Sequence, residues 1–239
     1  MKVNLFIPCF VDQLYPQTAF NMVKVLEKAG CEVYYNPNQT CCGQPAFNAG
    51  FHKESCAVAD KFLEDFKTPG YIVSPSASCT GFVKNYYPVM YENAASIGKY
   101  EDVKNRIFEF TEFLTKVLQV EEFGASLNVK ATYHDSCAAL RECMIKEGPR
   151  KLLANVKGLN LVEMNDNETC CGFGGTFSVK YEPISVAMGE QKVNNAVESG
   201  AEAIISTDLS CLMQIGGIIK EKKLPIQTLH IADVLASGW

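Results

Sequence analysis

A four-residue motif, Thr-Cys-Cys-Gly, occurs twice in the chain, at residues 40–43 and again at residues 169–172. A single cysteine precedes each copy, with 31 intervening residues in the first case and 32 in the second. Another cysteine follows each copy, after 36 and 39 residues counted from the second cysteine of the motif. The same arrangement appearing twice indicates two related halves, each with its own sulfur-rich site.

Four pairs of cysteines keep nearly the same separation along the chain. It is 128 residues for the first pair, 129 for both pairs within the motif and 132 for the last pair. The two sets are Cys9, Cys41, Cys42 and Cys79, and Cys137, Cys170, Cys171 and Cys211. Solenoid repeats are roughly 20–50 residues long, so this separation indicates duplication of a whole domain. We expect a first repeat with a helical linker at residues 1–124 and a second repeat at residues 125–239.

Strand and helix patterns alternate in each half. The β-branched and aromatic run Val3–Ile7 ends just before Cys9, and Thr18–Ala29 has apolar residues at the spacing of an amphipathic helix. In the second half, strand patterns at Lys130–His134 and Ala203–Ser206 also lead to cysteines. The alternation predicts an α/β fold of two duplicated halves, each a small parallel sheet flanked by helices, related by an approximate two-fold.

The thiols of a set are far apart in sequence, so only the fold can bring them together. Functional loops of parallel sheets gather at the carboxyl ends of the strands, where we expect the cysteines to meet. Residues 80–124 are predicted to be a largely helical linker. His134 lies three residues before Cys137; we expect backbone groups to satisfy its ring, with ligation or hydrogen bonding to the site as the alternative. We assign no role to His52 or His230.

Composition excludes several classes of protein. The net charge of −5 offers no basic surface for a phosphate backbone, so we expect no nucleic-acid partner. No apolar run approaches the roughly 18 residues of a membrane-spanning helix. We therefore expect a cytoplasmic protein without a transmembrane segment, which can still dock peripherally on a membrane through its partners. In a reducing compartment, 11 cysteines indicate metal binding or redox chemistry rather than disulfides.

Groups of four thiolates select zinc, copper(I) or iron–sulfur clusters. Structural zinc sites usually carry cysteine pairs separated by two to four residues, which lets both sulfurs reach one small ion. Adjacent cysteines point apart and suit a larger object with several metal atoms. The spacing therefore favours an iron–sulfur cluster, with zinc and a purely structural role as the alternatives. Cys31, Cys56 and Cys143 lie outside the repeated pattern and are predicted to be structural.

The doubled pattern resembles the lactate utilization protein A family, whose CCG cysteine-rich domain also occurs in the iron–sulfur proteins of the heterodisulfide reductase type. The residues that carry the resemblance are Cys41-Cys42-Gly43-Gln44-Pro45-Ala46, Ser74-Pro75-Ser76-Ala77-Ser78-Cys79, the segment from Cys170 to Lys180, and the segment from Cys211 to Gly217. The fullest motif of these proteins ends in Cys-x-x-Cys and gives five thiolates per site. Here Ser76 and Asp208 occupy the first position of that pair. We therefore expect one or two four-thiolate [4Fe–4S] clusters per chain, held by the two sets of cysteines.

The resemblance implies an iron–sulfur electron-transfer subunit in the oxidation of L-lactate to pyruvate. Its implied partners are a ferredoxin-like iron–sulfur subunit and a third lactate-utilization protein. We expect a subunit of an oxidoreductase complex of the L-lactate dehydrogenase type rather than a self-sufficient enzyme, and no catalytic residue is assigned. Two alternatives remain: a catalytic subunit that reduces a disulfide-like substrate, as in heterodisulfide reductase, and a non-catalytic zinc-binding scaffold.

Overall fold

The first half of the chain forms a four-stranded parallel sheet with helices around it. The computed structural model describes residues 1–91 and 94–239. The strands are β1 (Lys2–Leu5), β2 (Glu32–Tyr35), β3 (Tyr71–Ser74) and β4 (Ile107–Glu109). The helices are α1 (Cys9–Leu14), α2 (Pro16–Lys28), α3 (Gln44–Asn48), α4 (His52–Asp65), α5 (Ala77–Met90), α6 (Ala94–Arg106) and α7 (Phe110–Glu112), followed by a π-helix (Phe113–Leu118).

The second half repeats this order with one helix fewer. Its strands are β5 (Ser126–Tyr133), β6 (Lys157–Leu161), β7 (Ala203–Ser206) and β8 (Gln227–His230). Its helices are α8 (Cys137–Arg141), α9 (Glu147–Ala154), α10 (Thr176–Lys180), α11 (Glu182–Glu198), α12 (Leu209–Glu221) and α13 (Ile231–Leu235). The chain passes from α12 to β8 within residues 222–226, where the first half has α6.

Both sheets have the same strand order, β2-β1-β3-β4 and β6-β5-β7-β8, and every pairing is parallel. Val3 pairs with Val33 on one side and Tyr71 on the other, and Ala131 likewise lies between Leu161 and Ala203. The central strands are covered by helices on both faces, which explains their continuous apolar runs. The predicted α/β fold with duplicated halves is confirmed.

The sequence patterns missed the fourth strand of each sheet. The segment 80–124, predicted to be a largely helical linker, contains β4, and the last segment contains β8. These strands have only three and four residues, too few for a period of two to stand out beside the helical patterns that follow them. They form because each lies against a buried strand: Ile72 pairs with Ile107, and Ile204 pairs with Thr228.

One apolar core joins the two halves. It includes Leu5 and Leu26 from the first half and Ala131 and Ile204 from the second, all nearly fully buried. A smaller aromatic core, built around Phe6, belongs to the first half alone. Polar contacts reinforce the junction: Thr18 Oγ1 and Asn21 Nδ2 on α2 each donate to the Asp233 carboxylate on α13, at 2.9 Å.

The helix contacts at the junction come in matched pairs. Helix α2 packs on α13, while α9, which occupies the place of α2 in the second half, packs on α7. Helix α1 contacts α12, and α8 contacts α5 in the same way. Each contact thus recurs with the halves exchanged, which is what an approximate two-fold relation requires. No helix in the described part of the chain is long and apolar enough to cross a membrane.

The ends of β4 and β8 carry equivalent buried polar residues. Glu109 follows β4 and accepts hydrogen bonds from the backbone N–H groups of Thr111 and Glu112 through Oε2. At the end of β8, His230 Nδ1 accepts from the Ala232 N–H, so Nε2 carries the proton and faces the carbonyls of Pro75 and Thr207 at 3.1 and 3.0 Å. His230, given no role from the sequence, therefore links the second half to the loop after β3.

We predict that Glu109 makes the stability of the fold depend on pH. Burial raises the pKa of Glu109 from 4.5 to about 8. The folded state therefore keeps a proton that the unfolded chain releases above pH 4.5. As a result, stability falls by up to about 1.4 kcal/mol per pH unit as the pH rises from about 4.5 to about 8. Glu109→Gln removes the ionisation, and urea unfolding at a series of pH values should show a flatter profile.

The control for this experiment is Glu101→Gln, on the exposed surface of α6. It should leave the pH profile of the unaltered protein in place. A profile that stays equally steep in Glu109→Gln would show that another group causes the decline.

Candidate metal centre

Three backbone segments bring each set of four cysteines to the carboxyl edge of its sheet. Cys9 is the first residue of α1, the adjacent pair at 41–42 lies in the loop after β2, and Cys79 is in the first turn of α5. Cys137 likewise begins α8, the pair at 170–171 follows β6, and Cys211 is in the first turn of α12. The last cysteine of each set is thus in a helix rather than in the predicted loop.

The thiols of the first set interact in the order Cys9, Cys41, Cys42, Cys79. Hydrogen bonds from the Cys42 and Cys9 thiols stabilise the thiolate of Cys41 and lower its pKa. The pKa of Cys9 is raised because its S–H donates to Cys41, and that of Cys42 is raised because its S–H is held by Cys41 and Cys79. One sulfur therefore carries negative charge readily while its neighbours keep their protons.

The second set shows the same order of interactions. The thiols of Cys137 and Cys171 hydrogen-bond to Cys170 and lower its pKa, and Cys171 also interacts with Cys211. None of the cysteines forms a disulfide. The first set is the more open, since Cys9 is exposed, whereas both Cys171 and Cys211 are buried.

Backbone groups of the two motifs support the anionic sulfur. The N–H of Gly43 donates to Cys41 Sγ, and the N–H of Gly172 donates to Cys170 Sγ, both at 3.4 Å. The carbonyls of these glycines are held in turn by buried serines: Ser55 Oγ donates to Gly43 O at 3.1 Å and Ser185 Oγ to Gly172 O at 2.8 Å. Sequence reasoning missed both serines, although their separation of 130 residues matches the repeat.

Helices α5 and α12 direct their amino-terminal turns at the two sets. The partial positive charge of a helix amino terminus stabilises nearby anions, including thiolates. Ser76 caps α5, since its Oγ accepts from the Cys79 N–H at 3.4 Å. Asp208 occupies the same place before α12.

Ser76 and Asp208 bind each other across the junction between the halves. One Asp208 oxygen accepts from Ser76 Oγ at 3.1 Å and from the Ser78 N–H at 3.2 Å. The other accepts from Ser136 Oγ at 2.5 Å. These two residues are the ones that replace the additional cysteines of the five-thiolate motif, and their oxygens are engaged in this network.

The two sets differ in the side chains behind them. In the first half, Phe6 and Phe62 pack edge to face with ring centroids 4.8 Å apart, both almost fully buried. The equivalent positions of the second half are His134 and Lys192, also buried. Lys192 donates from Nζ to the Asp166 carbonyl. The first set therefore lies against aromatic rings, and the second against a histidine and a lysine.

His134 does not find the backbone partners that we expected. Neither ring nitrogen makes a hydrogen bond of normal geometry with the described residues, although the side chain is fully buried. Burial lowers the pKa of His134 to about 3 and outweighs the opposing influence of the Asn167 carbonyl, so the ring is neutral at physiological pH. A ring nitrogen, Cys171 Sγ and Cys211 Sγ all lie within 4.8 Å of one another.

Comparison with known proteins identifies this pattern of cysteines. The model of the CCG cysteine-rich domain family matches twice, at residues 3–84 and 131–216. Lactate utilization protein A of Halalkalibacterium halodurans is 44% identical, over 98% of this chain and 96% of that protein. The chain belongs to the lactate utilization protein A family. Other members are lactate utilization protein A 1 of Bacillus mycoides, 46% identical over 98% of this chain and 96% of its own, and lactate utilization protein A of Bacillus pumilus, 44% identical over 99% and 100%.

A crystal structure of a hypothetical protein from Helicobacter pylori has a similar fold. It superposes with a TM-score of 0.62 at 13% identity, covering 100% of this chain and 49% of the other. The lactate utilization protein A fold thus spans about half the length of that larger chain. At this level of identity, the likeness concerns the fold alone.

The donor sets of this family member suit a metal cluster. Each set offers four soft thiols, the ligand type preferred by iron–sulfur clusters and zinc. Backbone N–H groups and helix amino termini add positive potential beside the sulfurs, which stabilises an anionic cluster. The remaining cysteines lie elsewhere: Cys31 is in the common core, Cys56 Sγ donates to Met90 O at 3.6 Å, and Cys143 Sγ donates to Ala77 O at 3.5 Å.

We predict that Gly172→Ala disrupts the second set more than Gly175→Ala does. Both glycines have positive φ, +88° and +61°, so each substitution strains the backbone by about 1–2 kcal/mol. At Gly172, a Cβ would also lie 2.4 Å from the Ser185 carbonyl oxygen, whereas at Gly175 it would meet nothing within 4 Å. Gly172→Ala should therefore cost a further 1–3 kcal/mol or so in urea unfolding, and should lower the metal content of anaerobically purified protein.

Gly175→Ala is the matched control, because it adds the same methyl group under the same backbone strain. Equal losses of stability in the two variants would show that the contact between the motif and α11 does not limit the side chain at position 172.

Proposed function

We propose that the chain is an iron–sulfur electron-transfer protein in the oxidation of L-lactate to pyruvate. The observation that carries this proposal is the pair of equivalent four-thiol sets in a member of the lactate utilization protein A family. A role in lactate utilization follows from the family. The iron–sulfur cofactor and the electron transfer are the finer parts of the proposal.

In this proposal each set holds one [4Fe–4S] cluster through four cysteines. The ligands are Cys9, Cys41, Cys42 and Cys79 for the first cluster, and Cys137, Cys170, Cys171 and Cys211 for the second. Four thiolates per cluster agree with the engagement of Ser76 and Asp208 in their own hydrogen bonds. When bound, such a cluster accepts and releases single electrons.

The residues around the sulfurs prepare them for this chemistry. The N–H groups of Gly43 and Gly172 stabilise negative charge on one sulfur of each set. Loading must displace the protons held by thiols such as Cys42 and Cys171, so uptake of metal releases protons. The oxidation of lactate yields pyruvate, two protons and two electrons, and two one-electron centres in one chain match that number of electrons.

The proposed partners are a ferredoxin-like iron–sulfur subunit and a third lactate-utilization protein. The chain would pass electrons between them as a subunit of an oxidoreductase complex. Its more open first set, with Cys9 exposed, is the side on which an electron-transfer partner comes nearest to the sulfurs.

A mononuclear zinc scaffold is the second candidate, and one observation favours it. His134, Cys171 and Cys211 offer a nitrogen and two sulfurs within 4.8 Å of one another, a size that suits a single ion. In the described part of the chain, this is the one group of three such atoms gathered so closely. The first set has no such group among the described residues, so zinc accounts for the second set better than for the first.

We predict that anaerobically purified protein contains iron and acid-labile sulfide in equal amounts. Cys42→Ser should remove about half of both, because it disables the first set only, and Cys171→Ser should remove the other half. Cys56→Ser, outside both sets, is the control and should keep the full content. The measurement is iron, zinc and sulfide per chain. Zinc without sulfide in the unaltered protein would contradict the proposal.

The same variants test the place of the protein in metabolism. In a strain that needs this chain to grow on lactate, Cys42→Ser and Cys171→Ser should abolish growth on lactate while growth on pyruvate continues. Normal growth of both variants on lactate would separate the thiol sets from lactate oxidation.

A further inference from the structure

Three features of the second half have no counterpart in the described part of the first: a buried histidine, a buried lysine, and a closer grouping of sulfur and nitrogen atoms. His134 connects all three. It is fully buried, it lies beside Cys171 and Cys211, and its ring is adjacent to the position of Lys192. The question is what a histidine does in this place.

The fold itself does not need a histidine here. The equivalent residue of the first half is Phe6, which fills the same place after the central strand with an aromatic ring that packs on Phe62 and Phe66. A histidine in such a place leaves two polar nitrogens in an apolar interior. Burying them without hydrogen bonds is unfavourable, and both nitrogens of His134 lack partners among the described residues.

The sulfurs give the ring a different partner. An imidazole nitrogen and the Sγ atoms of Cys171 and Cys211 lie within 4.8 Å of one another. A metal atom placed among them at ordinary bond lengths, about 2.0–2.1 Å to nitrogen and about 2.3 Å to sulfur, would reach all three with small movements. The unsatisfied nitrogen thus becomes a ligand once metal is present.

We propose that His134 is a metal ligand of the second set, so that the two centres of the chain have different donors. The first has thiolates only, and the second has thiolates and one imidazole. This inference deepens the proposed function, because it takes the second set to be a metal centre. It adds a nitrogen donor that the four-cysteine pattern does not contain.

The test uses cobalt(II) as a probe of the second set alone. Cys41→Ser/Cys42→Ser disables the first set, and cobalt(II) is added to the full-length apoprotein without oxygen. We expect d–d and sulfur-to-metal bands in this background. Adding His134→Phe, which copies the first half, should weaken cobalt(II) binding by at least about tenfold. His52→Phe, at an exposed histidine, is the matched control and should change neither the affinity nor the bands.

A second variant guards against loss of folding. His134→Cys replaces the nitrogen donor by a thiol, so it should keep cobalt(II) binding but move the d–d bands to lower energy. Unchanged bands in His134→Cys, unchanged affinity in His134→Phe, or absence of cobalt(II) binding in the background protein would each overturn the proposal.

The stability of the apoprotein separates a ligand from a packing residue. Because the imidazole is unsatisfied without metal, His134→Phe apoprotein should be at least as stable to urea as the unaltered apoprotein. A clear loss of stability together with unchanged cobalt(II) bands would show that His134 only packs, and would overturn the proposal. Cobalt(II) results do not depend on iron or sulfide, so the proposed iron–sulfur function can fail while the ligand assignment stands, and the reverse.

Discussion

Burial of two parallel sheets in one shared core determines where the thiols lie. The central strands β1, β3, β5 and β7 have no polar face, so helices must cover both sides, and α2 and α13 do so across the junction between the halves. Every loop that carries a cysteine of either set leaves the carboxyl edge of its sheet. The thiols meet there because the backbone has no other route between buried strands and their covering helices.

The same junction brings the two sets into contact through polar groups. Asp208 receives hydrogen bonds from Ser76 and Ser78 of the first half and from Ser136 of the second. The Phe10 ring, next to Cys9, lies 6.2 Å from the Phe173 ring that follows the second motif. Each site is therefore completed by elements of the opposite half, and neither half forms an independent structural unit.

The behaviour of the two sites also depends on what lies behind the sulfurs. Phe6 and Phe62 offer no hydrogen bond and no charge to the first set. Lys192 is buried near Cys171 and Cys170, and although burial lowers its pKa, those sulfurs act in the opposite direction. Donors and positive charge beside a metal site favour electron-rich states of the site. The surroundings thus favour added negative charge more strongly in the second set.

The sequence predicted the thiol sets well because a repeated motif does not depend on local conformation. Four cysteine pairs at one separation located both sites and the duplication. Short strands escaped, since β4 and β8 form through pairing with distant buried strands rather than through their own pattern. Ser55 and Ser185 could have been found by applying the repeat separation to residues other than cysteine. His134 was found but misjudged, because whether a ring nitrogen has a partner is decided by packing, not by position along a strand.

The matched helix contacts at the junction have an evolutionary consequence. A single repeat could cover the same surfaces by pairing with a second copy of itself, as symmetric homodimers do. In such an ancestor every substitution would alter both sites together. Once the repeats were fused into one polypeptide, a histidine could enter at position 134 while phenylalanine remained at position 6. Fusion is what allows two copies of one site to specialise separately.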